Sequence, residues 1–330
     1  MTRLRLSACL SRGPVTEPLA SISPEGVEWN LSYVHPSEMF WRQLKFGDFD
    51  VSEMSLSTLF IQWRQGVRDW LALPVFTMRR FFHTGIVVRE DSGITAPAEL
   101  RGARVGVPEY QQTSAVWSRA ALQHEFGVAP SEIEWFMERP PVLSHGGATG
   151  FTAPPEISLT RLDGGDTLAA MFGRGELDAS LVHLTGTNLV DRGTGPGARD
   201  ARVRPLFADP RAEGLRYLSS TGLLPVNHCV VVRRTLAEEH PWLVLNIYSA
   251  FLKAKESVLR RTGEFVDLYG RTGLVAPEAA DAVARLDPLP YGFASQRTVL
   301  DALAGFVHEQ GLADEPIDAA EVFAEQTLGL

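Results

Sequence analysis

Apolar and polar residues alternate over residues 4–10 and again over 27–34, where Trp29, Leu31 and Tyr33 share one parity. Both stretches predict strands with one face in a core. Ser11-Arg12-Gly13-Pro14 breaks the first, and Pro24-Glu25-Gly26 introduces the second. His35-Pro36-Ser37-Glu38 opens a helix that carries Met39, Phe40, Trp41 and Leu44 and stops at Gly47-Asp48. A proline in the first turn sacrifices no helical hydrogen bond, because that N–H has no partner there. The stretch that organises the chain follows at residues 51–88. It reads as a short polar turn (Val51-Ser52-Glu53-Met54-Ser55), an amphipathic helix over 56–65 and an apolar strand over 71–76. A charged corner, Met78-Arg79-Arg80-Phe81-Phe82-His83, leads to a second apolar strand over 84–88.

One turn of helix near residues 94–102 then leads to a short buried strand at 104–107, a polar turn over 108–114 and a helix over 113–126 that Gly127 stops. Strand, polar turn and helix in that order leave free backbone N–H groups over whatever sits at the helix start. Further strands are predicted near 131–137, 157–162 and 175–183, with a helix over 167–172. The proline- and glycine-rich stretches 139–156 and 191–200 read as irregular surface loops, with His145 in the first exposed to solvent. From Thr221 the chain approaches a strong strand at 229–232 with His228 at its mouth, then turns helical over 236–259, 298–310 and 319–325. A chain that builds one α/β unit, leaves it for another and returns crosses twice and frames a cleft. The expected division is a discontinuous first domain, 1–92 with 222–330, and an inserted second domain, 93–221.

Composition bears on partners more than on fold. The 330 residues are 45% apolar and 22% charged, ordinary for a globular α/β chain. A net charge of −9, with no Lys/Arg-rich run interleaved with aromatics, argues against a nucleic-acid partner. No apolar run reaches the roughly 18 residues of a membrane span, and the start MTRLRLSACLSRG lacks an apolar run of secretory length. The expected location is therefore the cytoplasm, with no membrane partner; homo-oligomer formation stays open. Cys9 and Cys229 make neither a disulfide framework nor a CxxC pair, and no structural metal is expected.

Two arginines and a histidine within the five residues 79–83 mark a place for an anion. Arginine presents paired donors that match a carboxylate, and a histidine can hand over a proton near neutral pH. Three chain-distant groups converge with Arg79, Arg80 and His83 on the expected cleft: Ser52 with Ser55, the turn from Glu109 to Thr113, and His228. Such a cleft would hold a carboxylate through arginine, hydroxyls and backbone N–H groups, while a histidine protonates a carbon as carbon dioxide leaves or abstracts a proton. Glu53 and Glu109 are the carboxylates best placed to orient a histidine, since an acceptor on one ring nitrogen fixes which one carries the proton. His83, His183 and His228 lack metal-ligand spacing, and no GxGxxG, Walker or GxSxG pattern occurs.

The segments FWRQLKFGDFDVSEMSLSTLF, LALPVFTMRRFFH, LRGARVGVPEYQQTSAVWSRAALQHEFGV, IEWF, GELDA, HPWL and DPLPYG resemble the 4,5-dihydroxyphthalate decarboxylase family over nearly the whole chain. The resemblance implies an α/β, two-domain, type II periplasmic-binding-protein-like fold with a central interdomain cleft. It further implies a cofactor-independent carboxy-lyase acting on a small hydroxylated aromatic carboxylate or dicarboxylate. By the same resemblance, Ser52, Glu53 and Ser55 fall in the first-domain cleft segment, Arg79 and His83 at the strand end, Glu109, Tyr110 and Gln111 with Thr113 in the second-domain turn, and His228 before the returning strand. Where the family commonly has an arginine before the corner histidine this chain has Phe82, and after GELDA it has Ser180-Leu181-Val182-His183 instead of an Arg/Pro-rich segment. Phe82 and His183 thus face the expected substrate, and one carboxylate rather than two becomes the expectation. The alternatives are another lyase acting on a cyclic carboxylate and a non-catalytic small-molecule binding protein.

Overall fold

The computed structural model describes residues 3–181, 190–191 and 203–330. In chain order these residues form β1 (Leu4–Leu10), β2 (Val27–Tyr33), α1 (Pro36–Phe46), β3 (Val51–Ser55), α2 (Leu56–Arg64), β4 (Trp70–Arg79), β5 (Val87–Arg89) and β6 (Arg104–Val107). There follow α3 (Thr113–Phe126), β7 (Glu134–Met137), α4 (His145–Thr149), β8 (Leu159–Arg161), α5 (Leu168–Gly173), β9 (Ala179–Ser180), β10 (Val203–Pro205) and α6 (Pro210–Thr221). The chain ends with β11 (Val226–Arg233), α7 (Arg234–Glu239), α8 (Trp242–Arg271), α9 (Pro277–Ala284), α10 (Phe293–Glu309) and α11 (Ala319–Val322). Gly47 and Gly127 close α1 and α3 in the left-handed region, at φ 61° and 67°, a conformation that a Cβ disfavours.

Two sheets result. The first has the order β2-β1-β3-β11-β4 and the second β10-β5-β9-β6-β7-β8. In the first, β1 runs parallel to β2 and β3, whereas β11 returns antiparallel between β3 and β4. One face of this sheet is closed by α8, whose Ile247 and Phe251 pack with Leu6, Val51, Val75 and Val230. Its other face shares a core with the second sheet through Phe60, Trp117, Trp135 and Leu303. The Trp117 indole N–H donates to the Val226 carbonyl at 2.8 Å, tying α3 directly to β11.

Three local expectations are corrected. Residues 51–55 are not a turn but an inner strand, with all five residues buried between β1 and β11. Its polar residues read as a turn because their partners lie far away in sequence. Glu53 meets Ser11, Thr77 and His228, and Ser55 meets Thr113. The corner at 78–83 begins as strand, since β4 runs through Arg79. A 3-10 turn, Phe82–Gly85, then replaces the expected strand, and β5 crosses into the second sheet against β9 and β10. Finally, residues 139–156 are not a surface loop throughout: α4 lies there, and Arg139 and His145 are 2% exposed.

Candidate active site

A cavity of about 250 Å³ lies where the ends of β3, β4 and β11 meet the starts of α1 and α3. From the first sheet come Ser55, Met78, Arg80, Asn227 and His228, and from α1 and its cap His35, Ser37 and Phe40. Gln112, Thr113 and Ser114 at the start of α3 face them, together with Arg139, His145, Phe82, Gly85 and Leu181.

His228 sits in β11 where the pairing with β4 shifts register on both of its sides, between Val226 and His228 and between His228 and Val230. Such irregularities re-aim a strand side chain, and here the ring is turned to the cavity. Its Nδ1 lies 3.1 Å from Glu53 Oε2. Glu53 is fully buried, and its other contacts are all donors: the Ser11 N–H at 2.8 Å, the Ser11 hydroxyl at 2.6 Å and the Thr77 hydroxyl at 2.6 Å. Burial alone would push this carboxyl up, but the bonds from His228, Ser11 and Thr77 outweigh it and hold Glu53 below the usual carboxylate range. A carboxylate there places the His228 proton on Nδ1. Nε2 then faces the cavity, 2.8 Å from Asn227 Nδ2, and the ring stands edge-on to Phe40 at 4.7 Å.

The same Phe40 ring also packs edge-on with His145, 5.9 Å away between centroids. Its Nδ1 is 3.0 Å from the Thr58 hydroxyl and its Nε2 3.5 Å from Arg139 Nη1. A guanidinium can only donate, so Nε2 accepts and Nδ1 carries the proton. Burial, reinforced by Arg139, lowers this histidine to about 4, and it stays neutral at physiological pH. The Arg139 guanidinium is itself held by Asp191 at 2.7 Å and the Ser37 hydroxyl at 2.8 Å.

Anion-binding capacity collects at the opposite wall. The first turn of α3 offers backbone N–H groups and the positive end of a helix dipole, and Gln112 Nε2 has no partner among the described residues. Arg80 reaches the cavity from the end of β4, over the Phe82 ring at 5.9 Å, and makes no ion pair among the described residues. Gly85 leaves it room, because a Cβ there would lie 2.7 Å from Arg80 Nη2.

Of the residues singled out from the sequence, Ser55, Phe82, Thr113 and His228 line this cavity, and Glu53 lies directly behind His228. Arg79 does not reach it. Strand alternation turns Arg79 away from Met78 and Arg80, and its guanidinium donates to the carbonyls of Leu224 and Pro290 and to Gln296 Oε1 at 3.1, 3.1 and 2.7 Å. His83 points under α6, where Nε2 meets Glu213 at 3.0 Å and the ring packs on Tyr217 and Phe207. Burial pushes His83 down despite that carboxylate. Glu109 holds backbone N–H groups of His145 and Gln111 at 2.9 and 3.3 Å rather than a ring nitrogen. Tyr110 stacks on Phe151, the Gln111 carbonyl accepts from the Ser57 hydroxyl at 2.6 Å, and the Ser52 hydroxyl is buried without a partner among the described residues. His183 lies outside the described residues. Arg80 was visible in the corner, and carrying the two-residue strand period through it would have preferred it to Arg79. Arg139, His145 and Asn227 carry no comparable signal in the sequence.

The sequence profile of the phosphonate-type periplasmic substrate-binding proteins of ABC transporters matches residues 25–282. The 4,5-dihydroxyphthalate decarboxylase of Comamonas testosteroni is 31% identical over 339 aligned residues, covering 99% of this chain and 98% of the relative. The chain belongs to the 4,5-dihydroxyphthalate decarboxylase family. The enzyme of that name from Pseudomonas putida is 33% identical over 183 residues, covering 55% of this chain and 71% of the relative. The chain is thus a decarboxylase relative, as its motifs implied, with the exact substrate open.

Solved structures agree on the fold alone. The periplasmic aliphatic sulphonate binding protein SsuA of Escherichia coli superposes with a TM-score of 0.55 at 16% identity, covering 99% of this chain and 93% of SsuA. A DszB variant in complex with biphenyl-2-sulfinic acid gives 0.52 at 18% identity, covering 97% and 96%. These matches make the fold type II periplasmic-binding-protein-like. The matched profile, that of a periplasmic protein family, corrects the cytoplasmic location expected above. That expectation rested on a missing signal, which is no observation of where a chain works. Among the described residues no helix is long and apolar enough to cross a membrane, and no group of three or more His, Cys, Asp or Glu could hold a metal ion.

Proposed function

We propose that the cavity removes carbon dioxide from a hydroxylated single-ring aromatic carboxylate without a cofactor. The observation that supports this most is the Glu53–His228 pair, which presents a carboxylate-backed imidazole nitrogen to a cavity on the scale of one ring. A volume of about 250 Å³ falls below the roughly 300–1,000 Å³ of sites for drug-sized ligands. The start of α3 and Arg80 hold the carboxylate, and Phe82 covers the ring. With Phe82 in the wall and the second lining guanidinium, Arg139, already bound to Asp191 and Ser37, a second carboxylate would be desolvated without a free cation, so the substrate class is a monocarboxylate or a dicarboxylate with one acid left toward solvent. The ligand is a small molecule and not a nucleic acid, in keeping with a net charge of −9.

In the reaction a ring hydroxyl ortho or para to the reacting carbon pushes electron density onto it. As His228 takes up its second proton the Asn227 amide turns its Nδ2 away from Nε2, and His228 then transfers the Nε2 proton to that carbon, forming the C–H bond as the N–H bond breaks. The C–C bond to the carboxylate then breaks, its electron pair restores the aromatic ring, and carbon dioxide leaves. His228 regains a proton from solvent, and Glu53 stabilises the charged imidazolium before transfer. Atoms and charge balance with one proton consumed per turnover. The division into a discontinuous lobe (1–92 with 222–330) and an inserted lobe (93–221) belongs to this proposal, with the first crossing moved to the 3-10 turn before β5, which pairs in the second sheet.

A second reading, binding without chemistry, is favoured by the match to periplasmic substrate-binding proteins. Carbon dioxide release and titration calorimetry on a panel of hydroxybenzoates and hydroxyphthalates separate the two. Turnover of at least one panel member supports the decarboxylase. Tight binding with no carbon dioxide released supports the receptor.

A further inference from the structure

We infer that Asp191 decides how many acids the cavity accepts, as a positioning residue that acts through Arg139. The inference rests on the carboxylate-binding part of the proposed function and extends it to a residue outside the cavity lining. Two guanidiniums line the cavity, Arg80 and Arg139. Arg80 makes no ion pair among the described residues, whereas Asp191 Oδ1 accepts from Arg139 Nε at 2.8 Å and from Nη2 at 2.7 Å. Nη2 also donates to the Ser37 hydroxyl at 2.8 Å, and Nη1 is left with a 3.5 Å contact to His145 Nε2. The side chains of Arg139 and Asp191 are 3% and 1% exposed. A guanidinium at that depth needs an anion beside it, and Asp191 is a built-in one.

The other ionisable groups nearby leave this balance as it is. His35 Nδ1 lies 4.0 Å from Asp191 Oδ2, but it accepts the Ser37 N–H at 3.3 Å and burial lowers its pKa, so it adds no charge near neutral pH. His145 is neutral there as well. Glu53 is engaged by His228, Ser11 and Thr77, and Glu109 by the backbone N–H groups of His145 and Gln111. The wall therefore offers a ligand one cation that is not already matched, Arg80. One ligand acid finds a counter-charge and a second does not. Replacing Asp191 by its neutral isostere keeps the shape of the wall and returns one positive charge to it at Arg139. The cavity then favours the second acid that it now refuses.

Titration calorimetry of the full-length protein with benzoate and phthalate tests this. The two probes differ by one carboxylate, and neither has the ring hydroxyl that drives carbon dioxide release, so both report binding alone. Asp191→Asn is expected to raise the ratio of phthalate to benzoate affinity at least about 10-fold over wild type, the scale of one added charge in a largely buried wall. Arg139→Gln leaves Asp191 negative and should lower the same ratio, which keeps the inference testable if Asp191→Asn does not fold. The neutral pair Asp191→Asn/Arg139→Gln should return the ratio to within about 3-fold of wild type, a reversal that a merely structural ion pair would not give. A folded Asp191→Asn protein that prefers phthalate no more than wild type does, or binds neither acid, overturns the inference. So does a preference that survives the loss of Arg139, or a ratio that rises in Arg139→Gln. Carbon dioxide release from the hydroxylated panel is a separate readout, so failure of the decarboxylase reading is distinguishable from failure here.

Discussion

His228 and His145 both pack edge-on with the Phe40 ring in one cavity, at 4.7 and 5.9 Å, and both are almost fully buried. Burial is therefore not what separates them; their neighbours do. A proton on His228 lies against a carboxylate that three donors keep ionised, whereas a second proton on His145 would lie against a guanidinium. On the proposed mechanism the first ring carries charge into the cavity, whereas the second stays neutral beside Thr58 and Arg139. Arg79, the last residue of β4, and Arg80 just beyond it repeat the lesson, since the alternation of side chains aims Arg80 at the cavity and spends Arg79 on backbone carbonyls.

The largest expected effect comes from removing the charge that distinguishes the two histidines. Glu53→Gln should lower kcat for carbon dioxide release about 10³-fold with KM within a few-fold; an unchanged kcat would detach Glu53 from the chemistry. Acid titration is next. His145 holds its folded pKa at about 4, and the unfolded chain takes up that proton near ~6.5. The unfolded state thus binds more protons in between, and stability falls as pH drops through that window, by up to about 3 kcal/mol. Glu53 acts in the same sense at lower pH, its contribution lost as pH falls through its depressed folded value. The midpoint of thermal unfolding should therefore fall between pH 6.5 and 4, and His145→Gln should flatten that slope; equal slopes would sink the assignment.

Smaller effects should split the two arginines. Arg79→Gln is expected to cost about 2 kcal/mol in urea denaturation, through lost charge-assisted hydrogen bonds, with KM unchanged. Arg80→Gln should raise KM about 10-fold with the denaturation midpoint unmoved. The reverse pattern would move the carboxylate to Arg79.

Much of this was legible in the sequence because it is local. Alternation announced β1 and β2, the capping signals bounded α1 and α3, and motifs spread along the chain, among them SEMSLS, GVPEYQ and DPLPYG, carried the family and the fold. His228 stood out because it opens an apolar strand. What stayed hidden depends on partners far along the chain. β3 looked like a turn because Ser52, Glu53 and Ser55 are polar, and only long-range contacts make such a strand tolerable in a core. His145 looked exposed because its surroundings are rich in glycine and proline, while its burial comes from Thr58, Phe40 and Arg139 on three other segments.

The central claim is that His228 delivers the proton that replaces carbon dioxide while His145 only supports the cavity. Initial rates of carbon dioxide release at saturating hydroxyphthalate or hydroxybenzoate, for His228→Asn beside His145→Asn, test it most directly. The expected result is a loss of at least about 10³-fold for His228→Asn, with His145→Asn within about 10-fold of wild type. A His228→Asn enzyme that turns over at the wild-type rate, or a greater loss at His145, would contradict it.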